Sequence, residues 1–158
     1  MQLEQDKLYI SFHKPKSLVG LLITLRTLGK YSHCELVYND YVYLSNPGGV
    51  RIKPFIYKDN MDIYELDSHI EIPIVLEEFK KLKGKGYDYW AIFLAQLLEL
   101  GIEHKDKYFC SELCLHLINK GLDNSLTYNL KTLKASQFSP SKLFKYLKNM
   151  ELIKRKVE

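Results

Sequence analysis

The sequence predicts an α+β fold, an antiparallel sheet packed against helices, and three observations carry that expectation. Before Pro73, short runs of β-forming residues alternate with polar ones between turn signals. After Pro73, apolar residues recur at helical spacing. No fixed-period repeat, low-complexity tract or Pro/Gly/Ser linker divides the chain, so its 158 residues, 46% of them hydrophobic, read as one domain around one core.

The elements follow in order. "KLYISF" is the first strand, ending at "HKPK". Ser17 caps a helix through "LVGLLITLRTL" that stops at Gly29. "SHCELVY" and "YVYLSN" flank Asn39 and Asp40, which tolerate tight turns, and so form a hairpin. "VRIKPF" continues this meander as a third strand and "DIYEL" as a fourth. "IVLEEFKKLKGK" is an amphipathic helix broken at Gly84 and Gly86. "YDYWAIFLAQLLEL" and "CSELCLHLINKG" are further helices, ended by Gly101 and Gly121. A last helix begins at "SPSKLFKYL", with Ser139 as cap and Pro140 at the first helical position.

Charge and cysteine content narrow the function classes. The net charge of +4 is mild, and the lysines of "KKLKGKGY" and "LIKRKVE" read as solvated helix faces and a frayed tail rather than a nucleic-acid surface. The longest apolar run, around Leu18 to Leu25, is too short for a transmembrane segment. "MQLEQDK" is polar and partly acidic, unlike a secretory signal. Three cysteines are an odd count, which argues for reduced thiols and a cytoplasmic protein.

Cys110, in "YFCSEL", is where chemistry enters. Cys110, Leu113, Cys114, Leu117 and Ile118 share helical spacing, as a packed stripe would. Cys110 also falls in the first helical turn, where the positive end of the macrodipole favours a thiolate. A nucleophile needs a base and the base an orienting group. His33 supplies the base, because "SHCELVY" mounts it on a strand with Glu35 and Val37 on its face and Cys34 on the other. The other histidines are less rigidly held: His13 and His104 read as loop residues, His69 as near a strand end, and His116 as within the Cys110 helix.

The hairpin nominates the third group. A three-residue turn sets His33 opposite Ser45, and a two-residue Asn39-Asp40 turn sets it opposite Asn46. Glu35 lies on the same face; buried there, it needs a partner or binds substrate. His33, Cys34, Cys110 and Cys114 form a legal zinc set by type, but His33 and Cys34 face opposite ways on one strand and the cysteine spacing lacks a knuckle, so no metal is expected. No cofactor is implied. The aromatic residues of "YDYW" and "LFKYL" are at helical spacing and read as core.

The order "GKYSHCELVY", "YLSNPGGVRIK", "GYDYWAIF", "YFCSEL" resembles the permuted branch of the NlpC/P60 superfamily of papain-like thiol enzymes, in which the histidine hairpin precedes the cysteine helix. Within it, the "FH" first strand and the "SPSKL" segment look like those of small phage-encoded proteins, which would place the protein in the host cytoplasm. The resemblance covers nearly the whole chain. It implies Cys110 as nucleophile, His33 as base and Ser45, or a displaced Asn46, as third catalytic residue. Ser45 departs from the pattern, since that place is more often His, Asn, Gln or Glu. Glu35 and Tyr108 would bind substrate, with Tyr87 and Tyr89 also lining the groove.

The implied activity is that of a cysteine peptidase, amidase or acyltransferase. Cys110 would form a thioester with a peptide, amide or acyl substrate, and its backbone N–H would face the oxyanion. The competing reading keeps the fold and lets catalysis lapse, leaving a module that binds a lipid, peptide or host protein.

Overall fold

In the computed structural model of the protein, residues 3–86, 109–122 and 138–157 are described. They form strands β1 (Tyr9–His13), β2 (His33–Tyr38), β3 (Tyr41–Asn46), β4 (Gly49–Pro54), β5 (Met61–Leu66) and β6 (Ile153–Val157). The helices are α1 (Leu18–Arg26), α2 (Ile72–Leu82), α3 (Cys110–Gly121) and α4 (Pro140–Asn149). All strand pairs are antiparallel, in one sheet of order β4-β3-β2-β1-β5-β6. The α+β expectation therefore holds. The segment "YDYWAIFLAQLLEL", Tyr108 and His104 lie outside the described residues.

Local chemistry explains the elements that came out as expected. Asn39 and Asp40 have φ of 44° and 62°. Both central residues of the β2–β3 turn are thus left-handed, which matches the twist of the flanking strands. Ser17 accepts a hydrogen bond from the Gly20 N–H at 3.1 Å, and Ser139 one from Lys142 N–H at 3.2 Å, so both caps form. Pro140 opens α4 where its missing N–H costs nothing.

Three expectations are corrected. "DIYEL" does not extend the meander, because β1 pairs with both β2 and β5 and separates them. Only one edge of β2 was taken by β3; the other was open to β1, whose five residues are all buried. The basic tail is not frayed, for Ile153–Val157 pairs with β5 as an edge strand, and its lysines and arginine suit an edge that must not recruit further strands. Gly29 does not itself adopt the left-handed turn after α1; Leu28 does, at φ 47°. Gly29 closes the turn by donating its N–H to the Thr24 carbonyl at 2.9 Å, and a Cβ on it would lie 2.3 Å from Ser141 Oγ.

The helix-facing side of the sheet holds the main core. Ile10, Phe12, Cys34 and Leu36 from the strands meet Val75 and Phe79 of α2, Leu113, Cys114, Leu117 and Ile118 of α3, and Leu143 and Leu147 of α4. Each fully buried leucine there contributes about 1.5–3 kcal/mol. A smaller cluster of Tyr9, Val37, Val42, Leu44, Met61 and Ile63 occupies the opposite face. The packing of α3 across β2 and β3 fixes its first residue, Cys110, beside the beginning of β2.

Candidate active site

Cys110 is the first residue of α3, and its helix start is held by a hydrogen bond from the Phe109 N–H to Glu112 Oε2 at 3.3 Å. Ser111 fixes the same turn by donating to the Phe138 carbonyl. The thiol group sits among two neighbours from β2. Cys34, wholly buried on the helix-facing side, hydrogen-bonds to Cys110 through both its thiol and its backbone N–H. His33, the first residue of the strand and still 23% exposed at its side chain, reaches Cys110 from the strand's end.

These contacts separate the two thiols electrostatically. The hydrogen bond from Cys34 holds the Cys110 pKa well below its ordinary value; burial opposes this, and the charge and hydrogen bond of His33 reinforce it. Burial, followed by hydrogen bonding to Cys110 and Cys114, pushes the Cys34 thiol well up. The two thiols are thus pushed in opposite directions, Cys34 towards the protonated donor and Cys110 towards the thiolate. Burial alone would pull His33 down, but the Cys110 thiolate and then Glu35 outweigh it and lift the imidazole to about 10. Both shifts favour the charged forms, thiolate on Cys110 and imidazolium on His33, and the α3 N-terminus adds its dipole in the same direction.

The register settles the length of the turn between β2 and β3. Tyr38 pairs with Tyr41 and Leu36 with Tyr43, so the turn has two residues. Such a turn corresponds to the alternative with Asn46, not Ser45, opposite His33, and alternation along β3 puts Ser45 on the same helix-facing side as Tyr43. Asn46 does not orient the ring, since its buried Oδ1 accepts no hydrogen bond. The group that does approach is Glu35, whose Oε2 lies 3.5 Å from His33 Nε2, a charge contact rather than a tight hydrogen bond.

Glu35 is itself held from β1, by His13, a strand residue where the sequence suggests a loop. His13 ends β1, pairs directly with His33 and is 8% exposed. Its Nε2 lies 3.1 Å from Glu35 Oε1, and its ring meets the His33 ring edge-on at a centroid distance of 5.1 Å. Ser11, opposite Glu35 and wholly buried, donates to the same carboxylate oxygen at 3.4 Å. Burial favours the neutral acid, yet His13 and His33 together outweigh it and hold Glu35 well below the ordinary carboxylate range. The signal for His13 was present: Tyr9, Ser11 and His13 share one face of an alternating strand, and two polar residues on it ask for a buried partner.

The candidate residues thus divide. Cys110, His33 and Glu35 come together, Tyr108 lies outside the described residues, and among the described residues no three metal-ligating side chains are grouped to hold an ion. Compared with known proteins, the chain matches no family model and no curated protein.

Proposed function

We propose that the protein is a thiol enzyme of the permuted papain-like, NlpC/P60 type, catalysing acyl transfer through a Cys110 thioester. What supports this reading most is the arrangement of the site: Cys110 at a helix start, His33 beside it and the buried Glu35 carboxylate 3.5 Å from the imidazole, with shifts that favour the charged form of each. A merely packed cysteine would have its pKa raised, as that of Cys34 is.

In the proposed reaction the Cys110 sulfur attacks an amide or ester carbonyl. His33 gives its proton to the departing nitrogen or oxygen, then takes one from the water or other acceptor that resolves the thioester. The Cys110 backbone N–H, at the helix start, faces the developing oxyanion. Glu35 orients the ring and stabilises its charge, the part given to Ser45 or Asn46 by the sequence, and His13 and Ser11 fix Glu35. Three free cysteines support action in a reducing compartment, the cytoplasm.

The test is acylation by p-nitrophenyl acetate. Cys110 should take up one acetyl group with release of one p-nitrophenolate in a burst, and His33→Ala should lose the burst. Acetylation scattered over lysines, without a burst, would favour the competing reading of a binding module that has kept the fold.

A further inference from the structure

The first helix is built inside out. Its buried residues are Gly20 and Thr24, while Leu18, Leu21, Leu22, Leu25 and the following Leu28 are 73, 47, 39, 61 and 90% exposed. Their spacing of three and four makes one continuous leucine stripe on the outer side of the helix. The inner side is fixed by close approach: a Cβ on Gly20 would lie 3.1 Å from Ser32 Oγ, the residue before His33. Aliphatic side chains left in water over more than two turns are unusual for a surface helix that has a core available to it.

The charges around the stripe indicate what covers it. Residues 14–30 contain Lys14, Lys16, Arg26 and Lys30 and no acidic residue. Among the described residues, the carboxylates that meet the three lysines are Asp59 and Asp62, and Asp62 is also shared with Lys156. Lys16 and Lys30 remain 57 and 60% exposed at their side chains. A leucine stripe bordered by cations is the arrangement of a helix lying in the plane of an anionic bilayer surface, leucines among the upper acyl chains and lysines at the headgroups. A second copy of the chain would bring two cationic rims together. A protein partner would more typically be met by an aromatic anchor, and residues 17–30 hold no aromatic residue.

We propose that α1 docks the protein on anionic membranes, lying in the interface without crossing the bilayer. The proposal stands apart from the catalytic reading, although it would set the His33 end of the site beside the bilayer. Flotation with vesicles of phosphatidylcholine mixed with phosphatidylglycerol, against phosphatidylcholine alone, tests it. The full chain should float with the anionic vesicles, and less so as salt is raised. Leu21→Gln/Leu25→Gln should weaken the partition at least about tenfold, given the apolar area withdrawn. Leu18→Gln/Leu28→Gln, at the two most exposed positions, should do the same without touching the packed side of the helix, and Cys110→Ser should float like wild type. Failure to float with either vesicle would overturn the proposal. So would equal flotation of the leucine variants, or a dimer that they dissolve in the absence of lipid.

Discussion

Glu35→Gln removes one negative charge from the site while keeping its shape, and its effect on His33 can be worked from the structure. Raising an imidazole from 6.5 to about 10 corresponds to about 5 kcal/mol in favour of the charged ring. The Cys110 thiolate makes the larger contribution and Glu35, 3.5 Å away, the smaller. Glutamine should therefore lower the His33 midpoint by about one to two pH units, to roughly 8 to 9, the scale expected for one nearby opposite charge. The ring should still titrate above its ordinary value, because the thiolate remains. The assay is nuclear magnetic resonance titration of the His33 ring protons in wild type, Glu35→Gln and Cys110→Ser, with Cys110→Ser giving the larger drop. A wild-type midpoint near 6.5, or one that Glu35→Gln leaves in place, would refute the argument that a charge-ordered site holds the imidazolium.

Two further outcomes test the frame around the site. Asp62 is 3% exposed at its side chain and meets Tyr31 Oη at 2.8 Å with three lysines around it; burial favours its neutral form, but Lys30, Tyr31, Lys156 and Lys14 outweigh burial and hold its carboxyl below the usual range. A depressed carboxylate contributes stability that is present above its unfolded value near 4 and is lost as pH falls through the folded value. Since the lysines are 41–60% exposed and screened, Asp62→Asn should cost only about 1–2 kcal/mol at pH 7 and clearly less at pH 2, as denaturant melts at the two pH values would show. Gly29→Ala drives a methyl into Ser141, whose hydroxyl accepts from the Tyr31 N–H at 2.8 Å, and should cost about 1–3 kcal/mol; an unchanged melting midpoint would show that α4 yields freely there.

What the sequence made legible was local. The hairpin turn, both serine caps and Pro140 depend on residues within four positions of one another, so residue type alone announces them. The placement of β5 beyond β1 and the pairing of β6 join segments far apart in the chain, and alternation says only that a strand exists, not which edge it takes. The site divides along the same line. Cys110 and His33 were readable because a helix start and a strand face are local features. Which of Ser45 and Asn46 lies opposite His33 hung on a one-residue choice of turn length, and the two left-handed residues show the two-residue form. His13 was hidden by the Pro15 and lysines that follow it, which made the end of β1 look like a loop. Its buried position comes from pairing with β2, and that pairing brings Glu35 its second ring.

The most direct measurement is the pH dependence of iodoacetamide alkylation, read by mass spectrometry at each cysteine in wild type and His33→Ala. Cys110 should label rapidly well below pH 8, ahead of Cys34 and Cys114, and His33→Ala should slow it in that range, because the imidazolium that supports the thiolate is gone. Labelling of Cys110 no faster than that of Cys34 and Cys114, or only on unfolding, would contradict the account and make Cys110 a packed thiol at the start of α3.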